Sequence, residues 1–172
     1  MSVKPYSFSI MIYMKVLIVS DTHGNSEPIE KIVSLHSDFS IIIHAGDYAR
    51  DLDFLDTQIQ KYTVKGNCDN PAHYAPERQL IDLGKSKIFL THGHLQHAKL
   101  YFDQLIEESI KNSAEICVFG HTHKPIIENR DGILLINPGS IIKSRSRINM
   151  ASYVLMTVDK TGDVIDAKIM TL

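Results

Sequence analysis

From residue 14 onward, short runs of apolar residues alternate with longer stretches in which apolar residues recur at helical spacing. Each apolar run is only a few residues long and ends beside Gly or another turn-forming residue. Runs of this kind are typical of strands that are buried on both faces. The pattern therefore predicts strands at residues 16–19, 39–44, 62–65, 88–91 and 116–119.

The stretches between these runs predict helices at residues 26–36 and 97–111, with a shorter candidate at 51–59. Strands that alternate with helices predict a mainly parallel sheet. In the last third of the chain, apolar runs instead flank short turn sequences that contain Gly, which predicts antiparallel strands. The predicted hairpins pair residues 126–127 with 133–136 and residues 153–158 with 164–169.

The composition is that of one globular domain, with 172 residues of which 44% are hydrophobic and 22% charged. A net charge of −2 gives no global basic excess for coating nucleic acid or a membrane surface, although a nucleic-acid substrate stays open as an alternative. The two cysteines form no CxxC pair, which disfavours a disulfide framework and favours a cytoplasmic location. The length also bears on one class of enzyme that carries His and Asp at its strand ends, the dinuclear amidohydrolases. Their barrel needs about 250 residues, more than this chain has.

Residues 1–13 precede the first predicted strand, and we interpret them as an N-terminal extension or the result of an upstream start. A short apolar run behind Lys4 leaves a weak signal peptide as the alternative, but no small-residue cleavage site follows. No run approaches the ~20 apolar residues that are needed to span a bilayer. Residues 14–172 are predicted to form a single domain.

Polar clusters follow all five predicted strands, and they contain five of the nine histidines. Because the carboxyl ends of parallel strands converge on one crevice, residues about 100 positions apart are expected to meet there. Imidazole, carboxylate and amide donors suit divalent transition metals, and these are too many for one tetrahedral ion. We therefore expect two ions that share a bridging carboxylate. The clusters are Asp21-x-His23, Gly46-Asp47, Gly66-Asn67-Cys68-Asp69, His92-Gly93-His94 and Gly120-His121-x-His123.

These five motifs, in this order, resemble those of the calcineurin-like metallophosphoesterases, and in particular the short, single-domain phosphodiesterases of bacteria and archaea. The resemblance covers residues 14–172. It implies a four-layer α/β/β/α sandwich of two mixed sheets flanked by helices, with a dinuclear site at its apex. By resemblance, one ion would be held by Asp21, His23, Asp47 and His123, and the second by Asp47, Asn67, His92 and His121.

The resemblance also implies an activity, that of a metal-dependent phosphoesterase in which a hydroxide bridging two metal ions attacks phosphorus in line. Manganese is the metal expected first, with nickel, iron, zinc and cobalt as alternatives. The substrate would be a phosphoester small molecule or a nucleotide. The alternative hypothesis is a catalytically weak metal-binding scaffold or protein-interaction module, as in the retromer subunit of this superfamily.

Cys68 departs from the family pattern. Many members have His at this position, where it protonates the leaving alcohol, and a thiol is a poorer donor. The departure favours phosphodiesters with good leaving groups over monoesters. His94 is the candidate to replace some of the lost proton donation by contacting the substrate. The alternative is that His94 is only hydrogen-bonded beside the metals.

Three basic residues alternate along one predicted loop. In an extended loop their side chains would point the same way and bind a flanking phosphate of the substrate, and the alternative is a solvated loop. They are Lys143, Arg145 and Arg147. An apolar patch around Tyr153 and Val154 is the candidate contact for a homo-oligomer. Residues 137–140, Asn-Pro-Gly-Ser, resemble a family motif that lies close to the site.

Overall fold

A computed structural model of the chain describes residues 13–70 and 75–172, so residues 1–12 of the predicted extension lie outside it. In the described ranges the chain forms two α-helices, α1 Glu27–Leu35 and α2 Asp103–Lys111. It also forms ten strands: β1 Tyr13–Val19, β2 Phe39–His44, β3 Gln60–Thr63, β4 Arg78–Asp82, β5 Lys87–Thr91, β6 Ile116–Val118, β7 Ile126–Arg130, β8 Ile133–Asn137, β9 Ser152–Asp159 and β10 Val164–Thr171.

These strands make two mixed sheets, in the orders β10-β9-β1-β2-β3 and β4-β5-β6-β8-β7. Strands β1, β2 and β3 run parallel to one another, as do β5, β6 and β8. The remaining pairs are antiparallel. The expectation of parallel strands is therefore correct for the strands that precede the polar motifs. Of the antiparallel strands, β7, β9 and β10 belong to the predicted hairpins, and β4 was not predicted.

The layers of the fold follow from the alternation of side chains along β1. Val16 and Ile18 point into the core between the two sheets. Leu17 and Val19 point the other way and pack with α1 on the outer face of the first sheet. Leu105 and its neighbours in α2 pack in the same manner on the outer face of the second sheet. The order helix, sheet, sheet, helix agrees with the implied four-layer sandwich.

Two of the helix predictions were wrong in their bounds. The helix predicted at 97–111 begins only at Asp103, because His97 has a φ of 53° and this left-handed conformation cannot belong to a right-handed helix. The candidate at 51–59 is limited to a short 3-10 helix, Ala49–Leu52. Beyond it the Asp56 carboxylate accepts the N–H of Gln58 at 2.9 Å, a local bond that favours a turn.

The strand predictions fail where the chain is polar or on an edge. Strand β4 was not predicted, because Ile81 is its one buried residue and the rest of the strand is polar or exposed. The strand predicted at 62–65 lies two residues earlier, as β3. Both predicted hairpins are confirmed, but β8 also pairs in parallel with β6, so the last third of the chain is not wholly antiparallel.

Tyr153 and Val154 do not form an exposed patch. Both are buried, the first in the core beneath α1 and the second in the core between the sheets. They therefore offer no surface for the predicted contact between subunits. Among the described helices, none is long and apolar enough to cross a membrane.

Candidate metal centre

The predicted metal ligands lie where the parallel strands of both sheets end. Asp21 follows β1 and Asp47 follows β2, both in the first sheet, whereas His92 follows β5 and His121 follows β6 in the second. Within each sheet, a backbone hydrogen bond joins neighbouring strand ends: the N–H of Asp21 donates to Gly46 O at 3.0 Å in the first, and the N–H of Gly120 donates to His92 O at 3.1 Å in the second. The packing of the two sheets therefore brings the motifs into one place.

Several of these residues have an unusual backbone conformation. A positive φ is uncommon for residues other than Gly and costs about 1–2 kcal/mol each. Such strain persists where the surrounding structure holds it, and it concentrates at functional sites. The affected residues are Asp21 (57°), His23 (51°), Asp47 (60°), His121 (65°) and His123 (57°).

The first predicted ligand group forms a compact cluster. Asp21, His23, Asp47 and His123 each offer one ligand atom, and these atoms all lie within 4.8 Å of one another. Nε2 of His123 lies 3.0 Å from Oδ1 of Asp21. Both carboxylates are buried, so their charge is only weakly screened by water.

The second predicted group adjoins the first through Asp47. Nε2 of His92 lies 3.4 Å from Oδ1 of Asp47, and the rings of His92 and His121 are 5.1 Å apart. Asn67 is exposed, and its side-chain amide donates to Sγ of Cys68 at 3.3 Å. The backbone N–H of Cys68 donates to Oδ1 of Asp47 at 2.8 Å, so the loop of Asn67 contacts the cluster through its backbone.

Buried nitrogen atoms without a hydrogen-bond partner show that this donor set fits a metal. Nε2 of His23, Nε2 of His92 and Nδ1 of His94 are all of this kind. An unsatisfied buried polar atom costs about 1–3 kcal/mol, and a bound cation would remove that penalty. The other nitrogen of His92, Nδ1, donates to Ala45 O at 2.7 Å, which leaves the Nε2 lone pair directed at the cluster.

Burial and neighbouring charges shift the pKa of three of these residues towards the ligand form, whereas the hydrogen bond to Asp21 raises the pKa of His123. Burial raises the pKa of Asp21, but His123, His92 and Ser20 outweigh it, and the net shift is downward. Burial lowers the pKa of His23 against the opposing effect of Asp47. The pKa of His121 falls to about 4, first through burial and then through the charge of His92. A carboxylate and neutral imidazoles are the forms that bind metal.

Two glycines are required by the close approach of these loops. A Cβ on Gly66 would lie 2.1 Å from Oδ1 of Asp47, and one on Gly120 would lie 2.1 Å from Oγ of Ser20. Both distances are far shorter than any real contact. Gly is therefore required in each of these two motifs, because any side chain there would collide with Asp47 or Ser20.

Sequence reasoning missed the residues that support Asp21. Ser20 Oγ donates to Oδ2 of Asp21 at 2.6 Å, and Ser140 Oγ donates to its backbone carbonyl at 3.1 Å. Asn137 Nδ2 donates to Gly120 O at 2.7 Å, which places the Asn-Pro-Gly-Ser motif beside the site as expected. The position of Ser20 next to Asp21 was the one available sign of its role.

The basic loop is not extended. The N–H groups of Arg145 and Ser146 both donate to Ile142 O, which makes a turn, so the premise of an extended loop was wrong. Lys143 lines a cavity of about 330 Å³ beside the start of α1. The Arg145 carbonyl accepts a hydrogen bond from Nδ1 of His123 at 2.9 Å. A substrate-binding role for Lys143, Arg145 and Arg147 stays a prediction.

Two mixed sheets between helices, with buried carboxylates and imidazoles at the strand ends, define an α/β protein with a candidate metal centre. A comparison with family models matches residues 14–161 to the calcineurin-like phosphoesterase superfamily domain. The chain therefore belongs to the calcineurin-like phosphoesterase superfamily and is a metal-dependent phosphoesterase.

Individual relatives agree with this assignment. The chain is 36% identical over 154 residues to the probable metallophosphoesterase YsnB of Bacillus subtilis, covering 88% of this chain and 89% of YsnB. It is 30% identical to the phosphodiesterase YfcE of Escherichia coli K12, covering 85% and 89%. A crystal structure of a conserved protein from Streptococcus pneumoniae, described as a predicted phosphoesterase, is 29% identical with a TM-score of 0.71 and covers 94% and 99%.

Proposed function

We propose that the chain is a dinuclear phosphodiesterase in which Asp47 is shared between two divalent ions. The observation that carries the proposal is the position of the Asp47 carboxylate. Its Oδ2 lies 3.7 Å from Nε2 of His23, and its Oδ1 lies 3.4 Å from Nε2 of His92. A carboxylate with a different imidazole at each oxygen is suited to bridge two ions. The ligands proposed are Asp21, His23, Asp47 and His123 for one ion and Asp47, Asn67, His92 and His121 for the other.

When bound, the two ions would supply an activated water and positive charge for the phosphoryl oxygens. The two buried carboxylates, Asp21 and Asp47, neutralise only part of that charge, so the site stays attractive to an anionic phosphoester. The mixed nitrogen and oxygen donors accept several metals. We propose manganese first, with nickel, iron, zinc and cobalt as alternatives.

The surroundings of Cys68 support a preference for diesters. Burial, followed by the hydrogen bond to Asp47 and then the negative charge of Asp47, raises the pKa of Cys68 to about 11, so the thiol is a weak acid. A weak acid gives little help to a leaving alcohol. The ring of His94 lies 5.4 Å from that of His92, and Nδ1 of His94 is buried without a partner. His94 is therefore the group we assign to contact the substrate beside the metals.

The test compares bis-p-nitrophenyl phosphate with p-nitrophenyl phosphate on chelated protein to which manganese is returned. Asp47→Asn removes the shared carboxylate, and Asn67→Ala removes an outlying ligand. Asp131→Asn is the matched control, because Asp131 lies in the turn between β7 and β8, at the opposite end of the sheet from the site. We expect manganese-dependent turnover that favours the diester, survives in the control and is lost in both site variants.

The alternative function is a metal-binding scaffold with weak catalysis or none, which the thiol at Cys68 keeps open. Manganese that binds while neither ester is cleaved would support the scaffold and overturn the phosphodiesterase proposal. We further propose a cytoplasmic location, a phosphoester small molecule or nucleotide as substrate, and a homo-oligomer that forms through a surface other than Tyr153 and Val154.

A further inference from the structure

A cavity of about 300 Å³ adjoins the metal centre on the side of the second sheet. One wall is the turn at residues 98–102, and the other is formed by residues 122–130. Thr122 belongs to this lining and lies between His121 and His123 in the chain. A volume of this size is at the small end of pockets that bind organic ligands, which suits a group about as large as one nucleotide.

The lining of the cavity is basic on balance, because it contains three basic residues and one acidic residue, Glu128. Lys99 and Lys124 both line it, and neither takes part in any ion pair among residues 13–70 and 75–172. Arg130, the third basic residue of the lining, pairs with Glu128. Two unpaired ammonium groups at one cavity suit a phosphate.

One aromatic ring of the lining is also available for stacking. The ring of Phe102 is already covered, because Arg130 lies 5.0 Å over it and Phe119 approaches it at 5.3 Å. Tyr101 is 45% exposed and lines the same cavity. An exposed tyrosine beside phosphate-binding lysines is a combination that recognises nucleotides, because the base stacks on the ring while the lysines hold the phosphate.

We propose that this cavity is a second subsite, which binds a nucleotide part of the substrate and receives an additional phosphate of that nucleotide on Lys99 and Lys124. The proposal rests on the proposed phosphodiesterase function and narrows its substrate to nucleotide phosphodiesters that carry a further phosphate. In the hydrolysis, the oxygen of water bonds to phosphorus, and the bond from phosphorus to the leaving oxygen breaks. The proton that the water loses goes to the leaving oxygen or to solvent.

The first experiment uses two chromogenic esters that differ by one phosphate: the p-nitrophenyl ester of thymidine 5′-phosphate, with and without a 3′-phosphate. We expect the 3′-phosphate to raise kcat/KM by about tenfold or more, the effect of one charge-assisted contact. In the double variant Lys99→Gln, Lys124→Gln this ratio should fall close to one. The control Lys160→Gln makes one such substitution in the turn after β9, at the end of the sheet away from the site, and should retain the ratio.

The outcomes separate this proposal from the function on which it rests. Cleavage of both esters with no preference for the 3′-phosphate, or a preference that survives the double substitution, would overturn the subsite while the phosphodiesterase stands. If neither ester is cleaved, the proposed phosphodiesterase function fails. The subsite is then tested by ligand binding instead of hydrolysis. Calorimetry with manganese present should then show thymidine 3′,5′-bisphosphate binding about tenfold more tightly than thymidine 5′-phosphate. Equal affinities, or a difference that remains in the double variant, would refute the subsite.

Discussion

Asp47 and His92 meet across the two sheets: Oδ1 of Asp47, which follows β2 in the first sheet, lies 3.4 Å from Nε2 of His92, which follows β5 in the second. Neither sheet alone contains the site. The candidate metal centre therefore depends on the core that packs the sheets together, and metal binding and folding should stabilise each other.

Manganese should raise the thermal stability of the protein. At a metal concentration one hundred times Kd, binding adds about 2.7 kcal/mol, which corresponds to a rise in Tm of roughly 5–10 °C. Calorimetric scans with and without the metal measure this rise. Asp47→Asn should lose most of the rise, and Asp131→Asn, in the distant turn, should keep it. A rise of equal size in both variants would show that the metal binds elsewhere.

Gly66→Ala should weaken metal binding through a steric effect, because its Cβ would lie 2.1 Å from Oδ1 of Asp47. The carboxylate has to move, and we expect a loss of about 1–3 kcal/mol in the free energy of unfolding as well. Titration calorimetry with manganese and denaturant unfolding measure the two effects.

Gly132→Ala is the matched control for this substitution. Gly132 has a φ of 83°, so Ala is strained there by about 1–2 kcal/mol, but nothing lies within 4 Å of the added Cβ. The two variants should thus lose similar stability, and only Gly66→Ala should lose affinity for manganese. Unchanged affinity in Gly66→Ala would contradict the assignment of Asp47 as a ligand.

The parts of the fold that sequence predicts best are those set by continuous apolar runs. Strand β2 was predicted with the observed bounds, because its interior residues Ile41, Ile42 and Ile43 are all buried. Strand β4 has no such run, because Ile81 alone packs into the core and Leu80 is exposed. An edge strand of this kind is determined by its pairing with β5, which is a tertiary contact.

The candidate site was predicted as a set of residue types, and its geometry was not. Strand-end motifs placed Asp21 and His123 together although they are far apart in sequence. The positive φ of Asp21 and the carbonyl of Ala45 that orients His92 leave no mark on the residue pattern, because they depend on backbone positions in the folded state. The same limit applies to Lys99 and Lys124, which meet at one cavity only in the folded chain.

Cys68→His should raise the hydrolysis of monoesters with poor leaving groups. An imidazole that titrates near neutral pH is a better proton donor than a thiol with a pKa of about 11. We expect kcat for phenyl phosphate to rise by about tenfold or more. The gain should be smaller for p-nitrophenyl phosphate, whose leaving group needs less help. Cys68→Ser, which adds no comparable acid, is the control, and equal gains for Ser and His would refute this role.

His44 should make the folded state sensitive to acid. It is fully buried in β2, where Nδ1 accepts the N–H of Gly46 at 3.2 Å and Nε2 donates to Oγ1 of Thr22 at 3.1 Å. Protonation of Nδ1 would place its N–H against the N–H of Gly46, two donors with no acceptor between them. Burial lowers the pKa of His44 from 6.5 to about 4.

The sign of the resulting pH dependence follows from this depressed pKa. The neutral ring is the form that the fold accepts, so its contribution is fully present above pH 6.5 and is lost as the pH falls from 6.5 towards 4. A shift of this size corresponds to about 3 kcal/mol.

Denaturant unfolding between pH 7 and pH 4, with chelator present, should show a smaller pH-dependent loss of stability in His44→Gln than in the unsubstituted chain. His97→Gln, a matched change at an exposed turn, should retain the full loss, and equal pH dependence in both variants would mean that other groups cause the acid sensitivity.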